Sequence, residues 1–250
     1  MTAGAGSALC GFSDRVLKFM ERIEHRIAKT EYERKEVFRL RYDAYARNDL
    51  LKPKPDGRLF DRYDNCANAW ITMTFVDGEL AGSVRVSVGI GADADLPCVR
   101  VYPEVVTPRL RAGQLVVEFT RLAAKLSLSS AHPELAYVIM RPAYMAAEHF
   151  NADVAIATPR IEHMAFYRRI FGAEQWCPPR EYPGLTAKFG CMGANFRLAR
   201  KAVEARYPFY KSSPIEREAL FAASEGEMDL DFRCVSAAGR GRSSSELSTT

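Results

Sequence analysis

No run of about 18 consecutive apolar residues occurs in the 250-residue sequence, so a membrane-spanning helix is not expected. Met1 to Phe12 lacks a basic start followed by a continuous apolar run, which argues against a secretory signal and leads to the expectation of a cytoplasmic protein. The six cysteines, at 10, 66, 98, 177, 191 and 234, include no Cys-x-x-Cys pair, and none stands at metal-ligand spacing from a histidine. They read as reduced, mostly buried thiols, and no metal site is indicated. Histidine is scarce as well, with four in all and no paired spacing; His149 and His163 read as surface or core hydrogen-bonding groups. An excess of one charge is also missing. The 26 arginines and nine lysines face 31 acidic residues, and the net +4 is too mild for a nucleic-acid binder. It is compatible with a local basic patch that meets an acidic protein or an anionic small molecule.

What is present is a chain that is 48% hydrophobic and 26% charged, the composition of one ordinary globular domain with tails. Val16, Phe19, Met20 and Ile23 recur at helical spacing and predict a helix over Ser13 to Ile23. Arg26 to Thr30 reads as a strand, and Glu33 to Arg47 as a helix ending before the proline-containing loop Leu51 to Gly57. Two β-rich runs, Ala69 to Val76 and Glu79 to Gly89, are joined by Asp77-Gly78 and predict a hairpin. Ile90 to Gly113 reads as a long connection marked by prolines. Leu115 to Thr120 follows as a strand, Pro133 to Asn151 as a helix, and Asp153 to Thr158 as a strand buried on both faces. Pro159 to Phe171 predicts a helix stopped by Gly172, with strands near Glu174 to Cys177 and Thr186 to Arg197. Ser213, Pro214 and Glu216 mark the start of a short helix to Ala223, and residues 236–250 have the small, polar composition of a flexible tail. The expected order is a mixed α/β (α+β) sheet of about seven strands with helices on both faces. The expected organisation is an N-terminal extension with a helix (1–23), the main domain (24–211), a C-terminal helix and extension (212–235) and the tail (236–250).

Four short pieces stand in register along this order: Val37-Phe-Arg-Leu-Arg-Tyr-Asp-Ala-Tyr45, Asp61-Arg-Tyr-Asp64, Gly82-Ser-Val-Arg85 and Glu118-Phe-Thr-Arg121. Together they resemble the signature of acyl-homoserine lactone synthases, whose matching positions fall here on Arg41, Tyr45, Asp61, Asp64, Arg85, Glu118 and Arg121. Tyr45 stands where those enzymes usually carry phenylalanine, and Leu51 where they carry tryptophan. The C-terminal half, with Phe166-Tyr-Arg-Arg169 before Gly172, more closely resembles the N-acyl amino acid synthases, relatives that join a long-chain fatty acyl group to the amine of a free amino acid, often tyrosine. The resemblance spans roughly Ile27 to Phe196 and implies the GCN5-related N-acetyltransferase fold.

Acyl transfer from a thioester to an amine needs a base for the ammonium, an oxyanion site and a proton for the leaving thiolate. Glu118, within the apolar run Leu115-Val-Val-Glu-Phe119, is the candidate base, with simple pairing to Arg121 or Arg85 as the alternative. The resemblance implies that Tyr167 protonates the thiolate, with packing as its alternative. Arg41, Tyr45, Asp61, Asp64, Arg85 and Arg121 form the candidate substrate-binding set, since a carboxylate suits an arginine fork and an ammonium suits carboxylates. The same charges would serve as an ion-pair network that orders the loop before Asp64. Coenzyme A-dependent members of the fold usually cradle pyrophosphate in a glycine-rich turn, and no glycine occurs from Arg121 to Phe150. This favours acyl carrier protein, with the acyl-phosphopantetheine as donor and no permanently bound cofactor. Lys125, Arg141, Arg160, Arg168 and Arg169 are the candidate docking residues for that acidic partner. An apolar tunnel for the acyl chain would draw on Phe119, Ile139, Met140, Met145, Phe150, Met164 and Phe166. The other readings are a lactone synthase using S-adenosylmethionine and a non-catalytic binding protein on the same fold.

Overall fold

The computed structural model describes residues 3–222. In chain order it contains α1 (Ala3–Met20), β1 (Ile23–Ile27), α2 (Glu31–Ala46), β2 (Ala69–Val76), β3 (Glu79–Gly89), α3 (Pro97–Val101), α4 (Pro103–Arg111), β4 (Val116–Ala124), α5 (Leu126–Ala131), α6 (Leu135–His149), β5 (Val154–Ala157), α7 (Met164–Phe171), β6 (Glu174–Glu181), β7 (Lys188–Asn195), α8 (Phe196–Arg206) and α9 (Pro214–Phe221). The expected tail and the extension beyond α9 lie outside the described residues.

The strands form one sheet in the order β1-β2-β3-β4-β5-β7-β6, the seven-stranded mixed sheet read from the sequence. All neighbours are antiparallel except β4 and β5. That parallel pair is short, running from Val116 opposite Val154 to Phe119 opposite Ala157. Beyond Phe119, β4 continues to Ala124 along β3 alone, so the two strands part. The parting leaves backbone without a sheet partner in the middle of the sheet, which is where a substrate can enter.

Side-chain alternation assigns the two faces different work. Val84, Val86, Val88 and Val117 join the main core with α1, α6, α7, α8 and α9. Val116, Val154 and Ile156 on the opposite face pack with Cys98, Tyr102, Val106 and Leu110 of α3 and α4. α2 lies on this second face, where Val37 meets Ile71, Met73 and Phe75. Arg85, Glu118 and Thr120 alternate onto that second face and are buried beneath it.

The hairpin of β2 and β3 has the limits expected of it. Elsewhere local chemistry moves boundaries. Thr30 and Glu33 form a reciprocal capping box, so α2 begins at Glu31 and the first strand ends at Ile27. The long connection contains α3 and α4, because Pro97 and Pro103 each occupy the first helical turn. The final strand stops at Asn195, whose side chain accepts from Leu198 N–H and starts α8. The Ser213 capping box forms as read, and Phe221 of α9 lies in the main core. Cys98, Cys177 and Cys191 are free thiols, while Cys66 is disulfide-bonded, which corrects the expectation of six reduced cysteines. No helix among the described residues is long and apolar enough to cross a membrane.

Candidate active site

The Asp-x-x-Asp spacing has a local cause. Asp61 caps a one-turn 3-10 helix over Arg62–Asn65 that contains Asp64, and the two form a reciprocal capping box: Asp61 Oδ1 accepts from Tyr63 N–H and Asp64 Oδ2 from Asp61 N–H. The turn thereby brings both carboxylates against arginines. Asp64 Oδ1 lies 2.7 Å from Arg41 Nη1 and 3.2 Å from Arg85 Nη1, and Asp61 Oδ1 lies 2.6 Å from Arg85 Nη1. Asp61 Oδ2 accepts from Arg121 Nη2 at 2.6 Å and from its Nε at 3.1 Å. Arg85 Nε completes the set by donating to Thr120 Oγ1 at 3.1 Å. Arg34, which the sequence did not single out, holds the same turn through Asn65 Oδ1 and the Asp64 carbonyl.

Arg121 reaches Asp61 because β4 bulges there. The register between β3 and β4 shifts between Ser83 and Arg85, and Arg121 takes φ of 57°. A left-handed non-glycine residue costs on the order of 1–3 kcal/mol and persists where surrounding contacts fix it. Here two hydrogen bonds to Asp61 do so. Burial would push Asp61 up, but the guanidiniums of Arg85 and Arg121 outweigh it and hold the carboxyl well below the usual range. Burial acts against the charge of Arg85 too, and Asp64 and Asp61 more than offset it. In Arg41 burial wins, lowering its pKa despite Asp64.

Glu118 is fully buried and forms no ion pair with Arg85 or Arg121 among the described residues. Its Oε2 accepts from Cys98 N–H of α3 at 3.0 Å, while Oε1 has no hydrogen-bond partner among the described residues. Burial pushes its carboxyl up to about 7, against the hydrogen bond from Cys98. A carboxylate with that poise takes a proton near neutral pH. Tyr167 lies on the other face of the sheet, buried in the main core with its hydroxyl 4.0 Å from Met140 Sδ. Burial pushes its pKa up, so the phenol stays protonated.

A cleft of about 300 Å³ occupies the gap where β4 leaves β5. Tyr45, Thr120, Arg121, Phe119, Ile139 and Tyr167 are among its walls, so it joins the two faces of the sheet. Phe119 and Tyr167 also wall a narrow apolar space under α6, α7 and α8, together with Met140 and Met192. On the second face a cleft of about 220 Å³ lies between Asp61, Tyr63, Arg100, Arg121 and Tyr182, with Pro97, Val101 and Pro183 also in its walls. A small opening lined by Tyr45, Thr120, Arg121, Tyr182 and Phe189 stands between the two.

The structure thus gathers Arg41, Asp61, Asp64, Arg85 and Arg121 into one network, with Tyr45 on the cleft wall. The docking residues divide. Lys125, Arg168 and Arg169 are exposed, and Arg160 is half-buried on the cleft wall beside Glu162. Arg141 is not a surface group: it is buried and donates to the carbonyls of Phe209 and Lys211 and to Glu216 Oε1. Its place in the docking set is therefore corrected; its guanidinium ties α6 to the segment leading into α9. Arg47, which sequence reasoning missed, is exposed on the cleft wall and has no carboxylate partner among the described residues. Its position one turn beyond Asp43 at the end of α2 was the available signal. Tyr182, also missed, lies in a loop with no periodicity to place it.

A mixed sheet opened between its central parallel strands, with an arginine–carboxylate network beside the opening, is the architecture of an acyltransferase. The family profile N-acyl amino acid synthase FeeM matches residues 36–195, and the chain belongs to that family. Among solved structures it is similar to FeeM, an N-acyl amino acid synthase from uncultured soil microbes, with 18% identity, TM-score 0.62, and coverage of 75% of this chain and 98% of that one. It is also similar to the acyl-homoserine lactone synthase LasI, with 14% identity, TM-score 0.53, and coverage of 71% and 93%. BjaI, a coenzyme A-dependent lactone synthase solved with S-adenosylmethionine and isopentyl-CoA, gives 16% identity, TM-score 0.53, and coverage of 75% and 89%. No curated protein matches the sequence.

Proposed function

We propose that the protein transfers a long-chain acyl group from acyl carrier protein to the amine of a free amino acid, with tyrosine as the first acceptor to test. The observation that carries this reading is the cleft at the β4–β5 gap, which has the neutral Tyr167 phenol and apolar walls on one side and the arginine–carboxylate network on the other. A thioester lying in the gap presents its sulfur to the Tyr167 side and its carbonyl carbon to an amine arriving from the polar side. Glu118 is the base for that amine, and Tyr167 supplies the proton for the thiolate. The acyl chain runs toward Phe119, Met140 and Met192.

The turn after β4 supports acyl carrier protein as the donor. Lys125 leads directly into α5 without the glycines that let backbone N–H groups wrap a pyrophosphate. Arg47 and Arg160 line the cleft, Lys125, Arg168 and Arg169 are exposed on the adjoining elements, and such a set suits an acidic carrier. The test is to incubate the purified protein with long-chain acyl carrier protein or acyl-coenzyme A and a set of free amino acids, and to weigh the products by mass spectrometry. N-acyl tyrosine or another N-acyl amino acid from the carrier supports the reading. A lactone and methylthioadenosine formed from S-adenosylmethionine overturn the acceptor, faster turnover with acyl-coenzyme A overturns the donor, and no product from any mixture overturns the activity.

A further inference from the structure

Three arginines stand on the walls of the 220 Å³ cleft, and two of them are already paired. Arg62 meets Asp95 through both terminal nitrogens, at 2.7 and 2.9 Å, and donates to the Tyr63 hydroxyl at 2.8 Å. Arg121 gives Nε and Nη2 to Asp61. Arg100 is exposed, and its guanidinium has no hydrogen-bond or carboxylate partner among the described residues. Tyr182 is a second donor left over on the same walls: the residue is buried, and its hydroxyl has no partner among the described residues. A guanidinium offers donors alone, so a ligand that meets Arg100 in this cleft has to bring acceptors, best two in one plane. A carboxylate does so.

The backbone beneath Arg100 is held on both sides. Cys98 N–H donates to Glu118 Oε2 at 3.0 Å, and the Val101 carbonyl accepts from Arg180 Nη1 at 2.8 Å. Cys98 is fully buried and Val99 and Val101 pack on the second core, which leaves Arg100 facing outwards. A side chain on so fixed a turn loses less freedom when it binds. The carboxylate on these walls, Asp61, does not compete for the other end of an amino acid. Its Oδ1 accepts from Tyr63 N–H and Arg85 Nη1, and its Oδ2 from Arg121 Nε and Nη2. About four lone-pair sites are thereby filled, and none is left for an ammonium. Arg121 and Tyr182 wall both the cleft and the small opening toward the gap, so an amine on the same carbon as the held carboxylate is directed there. Tyr63, Pro97 and Pro183 give flat walls for the rest of the acceptor.

We propose that Arg100 binds the α-carboxylate of the acceptor and thereby makes the enzyme select amino acids over amines that lack one, an inference that rests on the acyl-transfer function proposed above. Arg100 takes no part in moving protons or breaking bonds. Its contribution is to affinity and to the placing of the amine, and a charged hydrogen-bonded pair in a half-enclosed cleft is worth roughly 10- to 100-fold in binding. An amine without the carboxylate gains nothing from the guanidinium, so the two kinds of acceptor part at this residue. Lysine in its place would keep the charge but lose the planar fork.

The test measures acylation of tyrosine and of tyramine, the same amine without the carboxylate, by the parent, Arg100→Gln and Arg100→Lys in the carrier-protein assay. Where another amino acid is the better acceptor, it and its decarboxylated amine take their place. The parent is expected to favour the amino acid by roughly 100-fold in kcat/KM, and Arg100→Gln to lose about 30-fold with the amino acid, through KM, but under about 3-fold with the amine. Arg100→Lys should recover part of the loss. A parent that does not discriminate, or an Arg100→Gln variant that loses equally with both acceptors or with neither, would overturn the proposal. Should Arg100→Gln fail to fold, the parent is inhibited with hydroxyphenylpropanoate, which is tyrosine without its amine. Competition against tyrosine about tenfold stronger than that by tyramine supports the carboxylate site, and equal or weaker inhibition by the acid refutes it. An active parent whose preference survives Arg100→Gln refutes the role of Arg100 alone, whereas a parent that acylates no amino acid refutes the function and the site together.

Discussion

Arg41 Nη1 and Asp64 Oδ1 stand 2.7 Å apart with neither side chain more than 1% exposed. An ion pair so deeply buried is poor evidence of net stabilisation, because removing both charges from water costs several kcal/mol each before their attraction offsets it. Breaking it is another matter. Asp64→Asn removes the counter-charge of Arg41 and one of two for Arg85, and leaves buried guanidinium charge behind. The expected loss is about 3–5 kcal/mol in chemical denaturation. Asp61 is a quarter exposed, and Asp64 stays beside Arg85 when Asp61 is changed, so Asp61→Asn is expected to cost less. Equal losses in the two variants would contradict the inequality read from burial.

Glu118 supplies a prediction about pH in both activity and stability. As a base it must be deprotonated, and its carboxyl is pushed up to about 7. The acid limb of kcat/KM should therefore rise about tenfold per pH unit and level off near pH 7. For stability, the folded value lies above the ordinary value of 4.5, so the folded state holds the proton more tightly than the unfolded chain. That contribution is fully present below about pH 4.5 and is lost as pH rises through 7, a change of roughly 3 kcal/mol. Glu118→Gln keeps the shape and can still accept from Cys98 N–H, but it cannot ionise. It should be nearly inactive, and at pH 8 more resistant to denaturant than the parent, with the advantage vanishing near pH 4.5. A parent-like stability profile in the variant would mean that Glu118 is not held neutral by burial.

Much of this site was legible in the chain because its positions sit on regular elements. Arg85 and Glu118 alternate with valines on strands, and Arg41 lies on a helix whose apolar spacing is plain. Asp61 and Asp64 were legible for a different reason, since a three-residue spacing of capping side chains makes its own turn. What could not be read is what depends on chain segments meeting without periodicity. Tyr182 reaches the site through the β6–β7 loop, pinned by a bond between Thr186 and Leu50, 136 positions apart in sequence. Arg141 carries the charge of a docking group, and only the carbonyls of Phe209 and Lys211 reveal that it faces inward. The helices α3 and α4 were hidden because a proline reads as a breaker until its place in the first helical turn is known.

The far edge of the sheet has a contact tight enough to test. A Cβ added to Gly193 of β7 would stand 2.3 Å from the Trp176 ring of β6, and the face of that ring carries the Arg109 guanidinium at 3.8 Å. Trp176 cannot move without giving up the cation contact. Gly193→Ala is expected to cost about 1–3 kcal/mol and to change the tryptophan emission. A variant with parental stability and spectrum would show that the ring moves freely.

The contrast between Arg141 and Arg47 separates holding the fold from meeting a carrier. Arg141→Ala strands the buried Phe209 carbonyl, the part-buried Lys211 carbonyl and the Glu216 carboxylate, and should lower stability by roughly 3 kcal/mol while leaving the KM for acyl carrier protein near its parental value. Arg47 has no carboxylate to lose and faces solvent on the cleft wall. Arg47→Glu should leave thermal unfolding unchanged and raise that KM about tenfold, with the defect shrinking as salt is added, because screening weakens repulsion between exposed charges. A KM that does not respond to charge reversal at Arg47 would move the docking surface away from this side of the cleft.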